Sequence, residues 1–135
     1  MGKVIQMERT PINPWSWSVT LGFDQATLVE GHRRQLVCSG QDAVDANGTP
    51  LHPDDMAAQI ELAMDNLQEV LDGAEMTLAN VVRLNVYSTD VDELFKHFPL
   101  ITERFGGNRF ATSVLGVARL AAPQLKVLLE ATAVD

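Results

Sequence analysis

An α+β fold, one mixed sheet with two helices on one of its faces, is predicted by three features of the sequence. Strand-like and helix-like stretches alternate in the order strands, helix, strand, helix, two strands. Each helical stretch carries a single apolar stripe, so both need the same kind of partner, a sheet face to cover. Several strand stretches, among them Leu36-Val37-Cys38, Val114-Leu115 and Val127-Leu128-Leu129, are apolar at consecutive positions. Consecutive strand residues point to opposite faces, so the second sheet face is expected to be buried too, by self-association.

With 135 residues the chain suits one domain, 1–135, and its 46% hydrophobic content is enough for a core. Lys3–Met7 has the composition of a short strand. Thr10-Pro11-Ile12-Asn13-Pro14 is expected to be a loop, since two prolines so close oppose both helix and strand. Trp15–Phe23 is expected to be a strand. Ala26–Val29 and Arg34–Gln41 flank Glu30-Gly31-His32 in the manner of a hairpin, and Ala46-Asn47-Gly48-Thr49-Pro50 is a turn signal.

The clearest helix is Asp54–Asp72. Met56, Ile60, Ala63, Met64, Leu67, Val70 and Leu71 recur at three- and four-residue spacing. Pro53 suits its first turn, Asp54 and Asp55 its positive dipole end, and Gly73 its stop. Val81–Ser88 is a β-branched strand. Val91, Leu94, Phe95, Phe98, Ile101 and Phe105 mark a second helix that Pro99 should kink or divide, and Gly106-Gly107-Asn108 ends it. Ala111–Leu120 and Leu125–Val134 read as closing strands joined around Pro123.

The formal charge of −8 disfavours nucleic-acid backbones and anionic membrane surfaces, so small molecules and protein partners are the expected ligands. One cysteine, Cys38, cannot form an internal disulfide, and the opening residues lack a signal peptide's apolar stretch. No apolar run reaches the roughly 20 residues of a membrane helix. A cytoplasmic location is expected.

His32, His52 and His97 lie far apart, and no Cys or His pair has metal-ligand spacing, so neither a metal nor a cofactor is expected. Cys38, on an apolar strand, reads as an inert buried thiol rather than a nucleophile. Asp90 and Asp92 read as supports for the second helix's N-terminus. Trp15 and Trp17 share a strand face by period two, which fits either core packing or an aromatic ligand wall. Glu130 stands within Val127-Leu128-Leu129-Glu130-Ala131, where a carboxylate needs a partner, whether structural or catalytic.

Five segments together resemble one family. Ser39-Gly40-Gln41 is similar to the Ser-Gly-Gln segment of the RidA/YjgF proteins, also called the endoribonuclease L-PSP family. Gln59–Leu67 resembles the family's first helix and Asn80–Tyr87 the strand after it. Ala111–Leu120 and Lys126–Ala131 look like its two closing strands. The resemblance implies a chorismate-mutase-like fold and a homotrimer that binds small molecules in clefts between subunits. It further implies cofactor-independent hydrolysis of imines and enamines to a ketoacid and ammonia.

That chemistry rests on an arginine in a Pro-Ala-Arg-Ser-like segment, whose fork grips the substrate carboxylate. Here the segment is Phe110-Ala111-Thr112-Ser113, so Thr112 stands at the arginine's place. Arg109 and Arg119, at odd spacings from Thr112, fall on the opposite strand face. The family's water-ordering glutamate aligns with Leu128, and Glu130 is two residues on, on the same face. The cleft tyrosine aligns with Trp15 in Asn13-Pro14-Trp15. The resemblance therefore implies a divergent member. Glu130 and Ser113 are its candidate catalytic groups, and Trp15, Ser39, Gly40, Gln41, Tyr87, Thr112 and Leu128 its candidate ligand contacts. Two functions follow: a deaminase or hydrolase acting on an enamine, imine or aminomuconate-like substrate, or a non-catalytic ligand-binding or scaffold trimer. Ordinary 2-iminoacid deaminase activity is not expected of either.

Overall fold

The computed structural model describes residues 6–135. The first part of the strand expected at Lys3–Met7, residues 3–5, lies outside them. Gln6 and Met7 precede the first strand, β1, Glu8–Ile12. The loop expected at Thr10–Pro14 is thus half strand. Pro11 is tolerated because β1 pairs on one side only, antiparallel to β2, Ala26–Glu30, with Pro11 opposite Thr27.

Trp15–Phe23 is not a strand. It is a run of bends around one turn of 3-10 helix, Val19–Leu21. The Ser18 carbonyl accepts from the amides of both Leu21 and Phe23, and Gly22 turns the chain at φ +96°. These local bonds satisfy the backbone groups that a strand would have offered a neighbour.

The expected hairpin across Glu30-Gly31-His32 is also corrected. The amides of Arg33 and Arg34 are taken by the Asp135 carbonyl, and the Arg34 guanidinium grips the Asp135 carboxylate in a bidentate pair. The strand that follows, β3, Gln35–Val37, is thereby aligned with the chain's C-terminal strand and not with β2.

The main sheet has the order β3-β6-β4-β5, with β4 Val81–Ser88, β5 Ala111–Gly116 and β6 Val127–Val134. β4 and β5 run parallel, and the crossover that a parallel pair requires is made by α2, Val91–His97, and α3, Pro99–Phe105. Pro99 divides the predicted second helix into these two, because its ring cannot continue the preceding helix but fits a first turn. Asp90 caps α2 by accepting from the Glu93 amide at 3.1 Å.

The long helix α1 is Met56–Gly73. Asp55 is its N-cap, accepting from the Ala58 amide, so Pro53 and Asp54 lie ahead of the helix and not in its first turn. Its stripe of Ile60, Met64, Leu67 and Leu71 is fully buried against Leu84 and Val86 of β4, Leu129 and Ala131 of β6, and Ile101 and Phe105 of α3. All three helices lie on one sheet face. The expected turn at Asn47-Gly48 is present, with Gly48 at φ +78°.

The other sheet face carries Val37, Arg83, Asn85, Tyr87, Ser113, Leu115, Leu128, Glu130 and Thr132, every second residue of their strands. Val37 is 74% exposed and Leu115 48%, while Tyr87 and Leu128 pack on a small second cluster around Ala43, Leu120 and Leu125.

Candidate functional site

The register of the main sheet separates the predicted site residues onto two faces. Thr112 pairs with Leu84 and donates its hydroxyl proton to the Leu84 carbonyl, which places it on the helix-covered side. Ser113, Tyr87, Leu128 and Glu130 are on the open side. The sheet stands between the two groups.

On the helix side, Thr112 and Val114 of β5 form the floor of a cavity of about 520 Å³. Phe95, Phe98, Pro99 and Thr102 from α2 and α3 make one wall. Thr20, Leu21 and Phe23, from the loop that replaces the predicted strand, make the other. Among the described residues, no charged side chain lines it. The volume falls within the range of small-molecule sites, which are mostly apolar with a few placed polar groups. Trp15 does not line this cavity. It stands 62% exposed on the same loop, and Trp17 is likewise exposed, edge-on to Phe23 at 5.7 Å. The two tryptophans are therefore not core.

The arginines nearest in sequence are engaged elsewhere. The Arg109 Nε donates to the buried Asp24 carboxylate at 2.7 Å, and Arg119 donates to the carbonyls of Leu120 and Ala121.

On the open side, Ser39-Gly40-Gln41 runs beside β6. The Gln41 amide donates to the Leu129 carbonyl at 2.7 Å and the reverse bond is 2.8 Å. Gly40 lies against Leu128 so closely that a Cβ there would sit 2.5 Å from a Leu128 methyl. Only glycine allows that approach without moving Leu128. Glu130 is held by two donors: the Tyr87 hydroxyl at 2.9 Å and the Asn85 amide at 3.3 Å. Asn85 sits between Glu130 and Ser113 in the sheet, and Arg83 Nε reaches Asn85 Oδ1 at 3.4 Å. A smaller pocket of about 230 Å³ opens beside Glu130, lined also by Arg83, Asn85 and Val37.

The bond to Glu130 is the main reason the Tyr87 hydroxyl titrates above its ordinary value, with partial burial and the carboxylate's charge adding to it. Tyr87 is the only tyrosine of the chain, so alkaline absorbance titration reads it directly. We expect an apparent pKa above the usual value of about 10, returning toward it in Glu130→Gln. Because the folded value is the raised one, the Tyr87–Glu130 contact stabilises the fold at neutral pH. That stabilisation is lost as pH climbs through the folded pKa. A midpoint at or below the ordinary value would mean that the bond does not persist in solution.

Cys38 is buried, and desolvation raises its thiol pKa, in keeping with an inert role. Among the described residues no cluster of three or more His, Cys, Asp or Glu is placed to hold a metal ion.

Several site residues were not singled out from the sequence. Asn85 carried a usable signal, a polar residue at a strand position shared with Tyr87 and Arg83. Thr20, Leu21 and Phe23 carried none, since they were read as a strand.

A family profile described as Endoribonuclease L-PSP matches residues 16–135, nearly the whole chain and both faces of this site. The chain belongs to the endoribonuclease L-PSP family. Within this family, also known by the names RidA and YjgF, the rat 2-iminobutanoate/2-iminopropanoate deaminase is 30% identical over 113 residues, covering 84% of this chain and 80% of the rat protein. The mitochondrial protein mmf1 of Schizosaccharomyces pombe is 30% identical over 129 residues, covering 94% and 76%. Among solved structures, YyfB from Yersinia pestis, of the conserved Rid protein family, superposes with a TM-score of 0.84 at 36% identity, covering 94% of this chain and 98% of YyfB. The mixed α+β architecture of this L-PSP family member is thus that of its relatives, with the second helical stretch divided in two.

Proposed function

We propose that this chain binds a small neutral, partly unsaturated metabolite, with the Thr112 cavity as the core of a cleft completed by a neighbouring subunit of a homotrimer. The observation that carries this reading is the cavity itself: a volume suited to a metabolite, three phenylalanines, hydroxyls and no charge. Self-association is supported by the open sheet face, where Leu115 is exposed beside Tyr87 and Leu128, and Val37 is exposed on the opposite edge strand. A contact across this face would let the Gly40–Leu128 edge of one chain approach the Thr112 edge of the next, reuniting residues that one chain keeps apart.

The same-site reading as a deaminase or hydrolase, cofactor-independent, is favoured by Glu130. Its two donors hold it at a fixed place beside a polar pocket, and Ser113 is on the same face. Glu130 would act on a ligand held by an adjacent subunit. The rat relative's name, 2-iminobutanoate/2-iminopropanoate deaminase, supports imine or enamine chemistry as the first class to assay.

Nucleic acid and membrane are not proposed as partners: the charge is −8, and among the described residues no helix is long and apolar enough to cross a membrane. The single buried Cys38 supports a reducing compartment. We propose the cytoplasm, although mmf1 is mitochondrial by name, and a mitochondrial interior would satisfy the same thiol chemistry.

The test is calorimetry on wild type and Thr112→Arg, with light scattering on both. We expect a trimer at micromolar concentration, poor binding of pyruvate and 2-oxobutyrate by the wild type, and tighter binding of both after Thr112→Arg. A stable monomer would remove the cleft, and tight ketoacid binding that Thr112→Arg leaves unchanged would place the positive charge elsewhere.

A further inference from the structure

The hydroxyl groups of the Thr112 cavity are not free to donate. Thr112 donates to the Leu84 carbonyl, Thr20 to the Trp17 carbonyl at 3.0 Å and Thr102 to the Pro99 carbonyl at 3.4 Å. A carbonyl oxygen can only accept, and a hydroxyl has one proton, so each threonine has spent its single donor inside the fold. What each can still offer is lone pairs. Among the described residues, no side chain donates to any of the three oxygens.

Several of the wall's backbone amides are spent as well. Those of Leu21 and Phe23 go to the Ser18 carbonyl, that of Thr102 to Phe98 and that of Phe98 to Phe95. Pro99 has no amide proton. The cavity is therefore apolar and uncharged, and its side chains are one-sided in their hydrogen bonding: the threonine oxygens accept.

Resting on the reading of this cavity as the ligand site, we propose that it selects neutral molecules carrying an O–H or N–H donor on an aromatic or unsaturated frame. The phenylalanine walls of Phe23, Phe95 and Phe98 take the flat frame, and a threonine oxygen takes the proton. A carboxylate is disfavoured, having no donor to give and meeting neither a charged group nor a free hydroxyl proton.

The experiment compares phenol, anisole, toluene and benzoate by calorimetry or ligand-observed NMR on the full chain. Phenol and anisole share ring and oxygen and differ in the donor. Phenol is expected to bind about three- to tenfold tighter than anisole, the ratio of a net hydrogen bond, with benzoate weakest of the four. Thr112→Val, close in volume but without the oxygen, is expected to bring the phenol-to-anisole ratio toward one. Because that change also leaves the Leu84 carbonyl without its partner, Thr20→Val and Thr102→Val serve as second variants at the cavity rim, and at least one of the three must lower the ratio. Anisole binding as tightly as phenol to the wild type would overturn the donor selectivity while leaving the cavity as a ligand site. Failure of all four compounds to bind at millimolar concentration would overturn the underlying site assignment too.

Discussion

Hydrolysis of 2-aminoacrylate by this chain is expected to be slower than by arginine-bearing members of its family by a factor of roughly 30 to several thousand. A missing charged, bidentate contact to the substrate carboxylate costs on the order of 2–5 kcal/mol of transition-state binding, and each 1.36 kcal/mol is tenfold in rate. Thr112 does not compensate. Its hydroxyl proton is committed to the Leu84 carbonyl, so it cannot donate even a neutral bond to a carboxylate. The two arginines nearest in sequence cannot step in at low cost. Arg109 would have to abandon the buried Asp24, and Arg119 is folded back on its own turn. The measurement is initial-rate assay of freshly generated 2-aminoacrylate beside an arginine-bearing relative. Rates within threefold of that relative would show that another cation reaches the cleft, one supplied by the neighbouring subunit.

Gln59→Ala is expected to destabilise the fold by about 3–5 kcal/mol, read as a shift in the urea midpoint at unchanged slope. Gln59 is completely buried on α1. Its amide nitrogen donates to the carbonyls of His52 and Gln124, and its oxygen accepts from the Lys126 amide at 2.7 Å. One side chain thus ties the segment before α1 to the turn before β6. Truncating it leaves part-buried backbone groups unpaired, at about 1–3 kcal/mol for each that water does not reach, and opens a cavity in addition. Gln59→Glu tests the same clamp differently, since a carboxylate could keep the Lys126 bond but not donate to two carbonyls. A loss below about 1 kcal/mol for Gln59→Ala would mean that water enters and replaces the clamp.

Gln59 also shows how far the sequence was legible. It lies three residues after Met56 and four before Ala63, on the apolar stripe that defines α1. A polar residue at such a position announces a buried bonded group, but its partners at 52, 124 and 126 cannot be read from spacing. The elements that came out as expected share a property. α1, β4 and the divided helix at Pro99 have their conformation set by residues within their own stretch: a stripe, a β-branched run, a proline. Of the segments that did not come out as expected, 15–23 is held by its own local carbonyl bonds, while 10–12 and 30–35 are set by distant partners. Pro11 is in a strand because β2 supplies the other half of a one-sided pair, and Arg34 leaves the hairpin because Asp135 holds it.

The sequence by itself determined the family, the α+β class and the uncharged residue at position 112. These depend on residue identity and on the period-two and period-3.6 repeats, which are local. Only the tertiary structure decided which candidate residues meet. Thr112 and Ser113 are neighbours in sequence yet face opposite sides of the sheet, and Glu130 joins Tyr87 and Asn85 only through the antiparallel register of β6 on β4. The lining from Thr20 to Phe23 likewise comes from a loop held by local carbonyl bonds. Face and register are properties of strand pairing over 28 or more positions of chain, the separation of Leu84 from Thr112. No stretch of sequence records them, because the energy that sets them comes from the core packing of the whole domain.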